Sequence, residues 1–133
     1  MTTNDLKALS ARLVALHAAL VDYQRQDYEE AHGPTKPAEL LRLLIADQHF
    51  AWLRPLSRVI AEIDEALDPR AAASNAAGAT PGVDVGRFFQ ATERLLRSGE
   101  IGAFEIKYRE ALQRSPELIM AHANVVKILA PRA

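Results

Sequence analysis

Three histidines lie on or beside apolar helical faces, and imidazole is the side chain best suited to bind a transition metal at neutral pH. They are His17, His49 and His122. Helix bundles build metal sites when several helices direct such side chains into one core. We predict one of two arrangements. Either the three imidazoles converge on a divalent transition metal, with an acid such as Asp22 or Asp27 completing the site, or each is a hydrogen-bonded, partly buried histidine.

Other catalytic chemistry has little support in the sequence. Cysteine is absent, which excludes disulfides, thiolate metal sites and a cysteine nucleophile. The serines lack the GxSxG and SxxK contexts of serine nucleophiles, and there is no glycine-rich phosphate loop. The ExxH pair of di-iron bundles is also missing. The sequence therefore favours a non-enzymatic protein that needs no cofactor.

Composition predicts one soluble domain, residues 1–133. The chain has 25% charged residues and a net charge of -1, without the basic and aromatic clusters of nucleic-acid binders. No apolar run is long enough to span a membrane, and the N-terminus does not resemble a secretion signal, so we expect a cytoplasmic protein. The 24 alanines and 17 leucines favour helix.

The segment Phe50–Ser57, with sequence FAWLRPLS, contains the only tryptophan, Trp52, and a proline, Pro55. Apolar residues recur at helical spacing on both sides of this proline, which predicts one buried face. That face comprises Ile45, Trp52, Leu56, Val59, Ile63 and Leu67. An interior proline costs on the order of 3 kcal/mol and kinks a helix. Two interpretations remain: one kinked helix over about 37–67, or a second helix that Asp47 caps after a break. We favour the kinked helix because the face stays in phase across the proline.

Two arginines on this segment, Arg54 and Arg58, lie one turn apart. They could bind a carboxylate or phosphate group, or pair with acids of the first helix or of a second copy. Together with Trp52 and Pro55 they are our candidates for a structural or interaction role.

The other helices have local start and stop signals. A leucine seam (Leu6, Leu9, Leu13, Leu16 and Leu20) predicts a first helix over about 5–31, and Gly33 predicts its end. An Ala/Gly/Pro-rich connection follows at 69–83, and three shorter helices are predicted at about 84–98, 101–113 and 116–129. The short connection between the first two segments makes them antiparallel. We predict an all-α helical bundle in which a long antiparallel hairpin, about 5–31 and 37–67, is covered by two or three shorter helices.

The FAWLRPLS stretch and the following Arg58–Glu65 segment resemble a small family of uncharacterised bacterial all-helical proteins. This resemblance implies a bacterial source and a helical fold. His49 followed by Trp52 also resembles the DinB-like metal-binding four-helix bundles, in which a histidine of helix 2 joins an HxxxH pair on the last helix. Here the last helix has His122, but Val126 stands four residues later.

Taken together, these observations predict a cytoplasmic helical bundle that acts through self-association, as a homodimer, or through protein partners. The reason is that the apolar faces of the long helices look too wide for a few short helices to cover. The alternative is a metal- or small-ligand-binding bundle with a His17/His49/His122 site and metal-dependent activity.

Overall fold

The computed structural model describes residues 2–68, 84–97 and 103–129, and within these ranges it confirms the all-α helical bundle. The helices there are α1 (Thr3–His32), α2 (Pro37–Ala46), α3 (Gln48–Ala51), α4 (Arg54–Leu67), α5 (Val85–Arg97), α6 (Ala103–Arg114) and α7 (Pro116–Leu129). The predicted connection at 69–83 and the predicted helix ends at 98 and 101 lie outside the described residues. None of the helices in these ranges is long and apolar enough to cross a membrane.

Helix α1 is the central element. It begins with a capping box, in which the Thr2 hydroxyl accepts from the Asp5 N–H and the Asp5 carboxylate accepts from the Thr2 N–H. It ends at Gly33, whose φ of 85° is accessible to glycine without strain. The leucines of the predicted seam are all fully buried: Leu6, Leu9, Leu13, Leu16 and Leu20. At 1.5 Å per residue α1 extends roughly 45 Å, so it can contact most of the other helices at once.

Helix α4 runs antiparallel to α1. As the residue number rises along α1, the residue that it contacts on α4 has a lower number. Ser10 bonds to Asp64, and further along α1 His17 bonds to Ser57. Helix α7 also runs antiparallel to α1: its start lies beside the end of α1, and Arg12 of α1 donates to the carbonyl oxygen of Asn124 at 2.6 Å. Helix α5 packs on both α1 and α4. The core therefore forms around one side of α1.

The last three helices follow their local signals. Asp84 accepts from the Arg87 N–H and starts α5, whose buried face is Val85, Phe88, Phe89, Thr92 and Leu96. Ser115 accepts from the Leu118 N–H at the start of α7. Ile119 of α7 is 53% exposed, because α7 turns Leu118 toward α1 and its neighbour outward.

The continuous kinked helix over 37–67 was wrong, and the interpretation with a break at Asp47 describes the chain better. Helix α2 ends at Ala46 and the Asp47 carboxylate caps α3 by accepting from the His49 N–H at 2.8 Å. A second interruption follows α3, so Pro55 lies in the first turn of α4, where its missing N–H costs no helical hydrogen bond. The predicted antiparallel hairpin survives, but its second arm consists of three helices.

Helix α2 differs from the other helices in that none of its residues is buried. Leu40, Leu43 and Leu44 are partly buried against the core. Leu41 is 59% exposed and Ile45 is 68% exposed. Because α2 is a separate helix, Ile45 does not continue the buried face of α4, which corrects its predicted place in that face.

Candidate functional site

The FAWLRPLS segment joins α3 to α4 and attaches this joint to the core. The Trp52 ring is 8% exposed and lies against Phe104, with ring centroids 5.8 Å apart. Its Nε1–H donates to Oε1 of the buried Gln24 at 2.8 Å. Trp52 therefore connects the α3–α4 turn to both α1 and α6, and its role is structural.

The two arginines of this segment do not act as a pair. Arg54 donates from Nη2 to the carbonyl oxygen of Ile45 at 3.1 Å, which satisfies an acceptor in the last turn of α2. Arg58 is exposed on α4. Arg54 thus contacts a backbone carbonyl oxygen at the end of α2, and the binding of a carboxylate or phosphate group by these arginines stays a prediction.

The predicted site of three histidines does not form, because each histidine has a partner in a different part of the fold. Nε2 of His17 lies 2.7 Å from the Ser57 hydroxyl, and Nδ1 of His122 lies 2.6 Å from the Tyr108 hydroxyl. His49 bonds to Asp47. Among residues 2–68, 84–97 and 103–129, no group of three or more His, Asp or Glu side chains could hold a metal ion. The alternative of separate hydrogen-bonded histidines describes the structure.

Burial shifts the pKa of two groups at these contacts. It lowers the pKa of His17, because the charged imidazolium loses solvation. It raises the pKa of the Tyr108 phenol, because the phenolate would lose solvation too. Tyr108 therefore stays protonated where its hydroxyl bonds to Nδ1 of His122.

The lowered pKa of His17 makes stability depend on pH. The unfolded chain takes up a proton near the ordinary value of 6.5, whereas the folded chain takes it up only at lower pH. Stability must therefore fall as the pH drops below about 6.5. We expect the free energy of unfolding, measured by urea titration at pH 7.5 and 5.0, to fall less with acid in His17→Gln than in the wild type. An identical pH dependence in wild type and His17→Gln would contradict this assignment.

His49 does have a histidine neighbour, but it is His32, which we did not predict. The two rings lie edge to face with centroids 5.8 Å apart. Tyr28 stacks on His32 with a centroid distance of 4.2 Å and meets the His49 ring edge-on at 5.6 Å. These residues bring the end of α1 and the start of α3 together, and we call Tyr28, His32 and His49 the histidine cluster.

Acidic side chains support the chain around this cluster. Asp47 accepts from both the backbone N–H and Nδ1 of His49, which lowers the pKa of its carboxyl group. Glu29 accepts from the backbone N–H and the hydroxyl of Thr35, each at 2.7 Å, and these bonds lower its pKa as well. Glu29 thereby fixes the turn that leads into α2.

Two surface grooves adjoin these elements. One has a volume of about 640 Å³ and is lined by Gln24, His49, Trp52 and Ile106, among others. The other has a volume of about 480 Å³ and lies between α1 and the start of α7, with acidic walls and Arg114. Both are open to solvent, and among the described residues no buried side-chain nitrogen or oxygen atom lacks a hydrogen-bond partner.

No protein-family model, curated protein or solved structure matches the chain. The resemblances suggested by the sequence stay predictions.

Proposed function

We propose that the protein is a bacterial, cytoplasmic, non-enzymatic helical bundle that acts through protein contacts made by α2, and that its first partner is a second copy of itself. The observation that carries the proposal is the outward face of α2. Leu41 and Ile45 are one turn apart and are 59% and 68% exposed. No residue of this helix is buried. Apolar side chains at i and i+4 on a helix that the fold leaves uncovered are typical of helix-mediated association.

Symmetry supports pairing with a second copy. A second chain presents the same exposed apolar residues, Leu41 and Ile45. Two copies of α2 can therefore pack these residues against each other around a twofold axis.

The size of the face predicts a weak dimer. Burying four partly exposed aliphatic side chains, two from each copy, would contribute on the order of 4–8 kcal/mol. Association itself costs at least about 4 kcal/mol in lost freedom. The surplus is up to about 4 kcal/mol, so we expect a rapidly exchanging dimer with a dissociation constant of about 1 mM.

The test is sedimentation velocity over a concentration series with one variant and one matched control. Ile45→Glu places a charge in the proposed interface and should weaken the dimer at least about tenfold, because a carboxylate would have to be desolvated there. Met120→Glu places the same charge on α7, where Met120 is 70% exposed, and should leave the dimer unchanged. Both variants should keep their helical circular dichroism, because substitutions at such exposed sites change stability by about 0.5 kcal/mol or less.

A wild-type chain that stays monomeric at concentrations well above about 1 mM would contradict self-association. A dimer that survives Ile45→Glu but is lost in Met120→Glu would place the interface on α7 and contradict the role of α2.

A further inference from the structure

His32 and His49 lie at the two ends of the segment that carries α2. His32 is the last residue of α1, and His49 is the second residue of α3. All of α2 lies in the chain between them. The ring contact between the two histidines therefore closes a loop around a helix that has no buried residue.

The hydrogen bonds of the two imidazoles fix which nitrogen carries the proton. Nδ1 of His32 lies 3.1 Å from the carbonyl oxygen of Tyr28, and Nδ1 of His49 lies 2.7 Å from the Asp47 carboxylate. Both oxygens can only accept, so each Nδ1 is the donor. In the neutral rings the lone pair is then on Nε2, which makes no hydrogen bond to any described residue.

This tautomer is the one that metal-binding histidines adopt. Metal-ligating imidazoles commonly donate one ring N–H to a carboxylate or backbone carbonyl and bind the metal through the other nitrogen. Two imidazoles bound to one tetrahedral zinc at about 2.0–2.1 Å place their ring centroids roughly 5 Å apart. The observed 5.8 Å is close to this spacing, and both side chains are exposed to solvent.

We propose that Nε2 of His32 and Nε2 of His49 bind one divalent transition metal ion, such as zinc or nickel, with water in the remaining positions. Asp47 and the Tyr28 carbonyl hold the two rings in the binding tautomer. The bound ion clamps the end of α1 to the start of α3 and so restrains α2, which lies between them. The site is separate from the predicted set of His17, His49 and His122, with which it shares only His49.

The clamp has two measurable consequences. Isothermal titration calorimetry of the untagged chain with zinc or nickel should show one ion per chain. Limited proteolysis should cut within residues 33–48 more slowly when the ion is present. Metal binding by this pair does not require that α2 binds a partner, so sedimentation of the metal-free protein tests the proposed function separately.

Single substitutions identify the ligands. His32→Gln and His49→Gln should each weaken metal binding at least about tenfold, because each removes one of only two protein ligands. His17→Gln and His122→Gln are the matched controls, since each removes a histidine that bonds elsewhere in the fold, and both should bind as the wild type does.

Three results would overturn the proposal. They are the absence of binding by the wild type at neutral pH, binding that persists in His32→Gln or His49→Gln, and a stoichiometry of one ion per two chains. The last result would mean that the metal bridges two copies and does not close the loop within one.

Discussion

Trp52→Ala should destabilise the protein by about 3–5 kcal/mol, as expected when a large buried aromatic side chain is removed. The ring is 8% exposed and packs on Phe104, so its removal leaves a cavity between the α3–α4 turn and α6. It also leaves the Gln24 carbonyl oxygen in the core without its donor. A small domain has a total stability of about 5–15 kcal/mol, so this variant should be partly unfolded at 37 °C. Urea unfolding followed by circular dichroism measures the change.

Trp52→Phe separates the two causes. It keeps an aromatic ring against Phe104 but removes the N–H, so the expected loss is about 1–3 kcal/mol, the cost of an unsatisfied buried acceptor. A loss below about 1 kcal/mol in Trp52→Ala would contradict the structural role that we assign to this residue.

Leu16→Ala should cost about 2–5 kcal/mol, because Leu16 is fully buried in the middle of the α1 seam. Val14→Ala is the matched control on the same helix. Val14 is 49% exposed, and alanine has the higher helix propensity, so this change should stay within about 0.5 kcal/mol of the wild type. The two unfolding curves, measured together in urea, should therefore be well separated. Equal losses would mean that α1 does not present the face described here to the core.

The elements that could be predicted from the sequence are those that local chemistry determines. Five leucines at helical spacing leave α1 only one face to bury, and Gly33 provides its end. The Ser115-Pro116 pair is a sequence signal for the start of a helix, and α7 begins at Pro116 in the structure. Capping and periodicity act within a few residues, so they can be recognised without knowledge of the fold.

The division of residues 37–67 could not be predicted in the same way. Apolar residues keep their helical spacing across Pro55. This spacing alone does not show that the helix is continuous, because a short turn between two helices can also bring their apolar residues onto one face. Asp47 was the local signal for a break, and its capping bond to His49 outweighs one more turn of helix. Ile45 was assigned to the buried face of α4 for the same reason, although it lies on α2, which is a separate helix.

The candidate site depends on the register of α1 against α3, and the sequence alone does not specify this register. Helical phase placed His49 near an apolar face, but only the antiparallel fit of α1 against α3 and α4 determines which α1 residue lies opposite. That residue is His32, the last residue of α1.

Helix α2 is the element on which the functional account depends, and amide hydrogen exchange at several protein concentrations tests it most directly. If α2 is the contact surface, exchange of residues 37–46 should slow as the concentration rises from micromolar to millimolar, while exchange of residues 116–129 stays the same. Exchange of α2 that does not depend on concentration, or slowing confined to α7, would contradict the account.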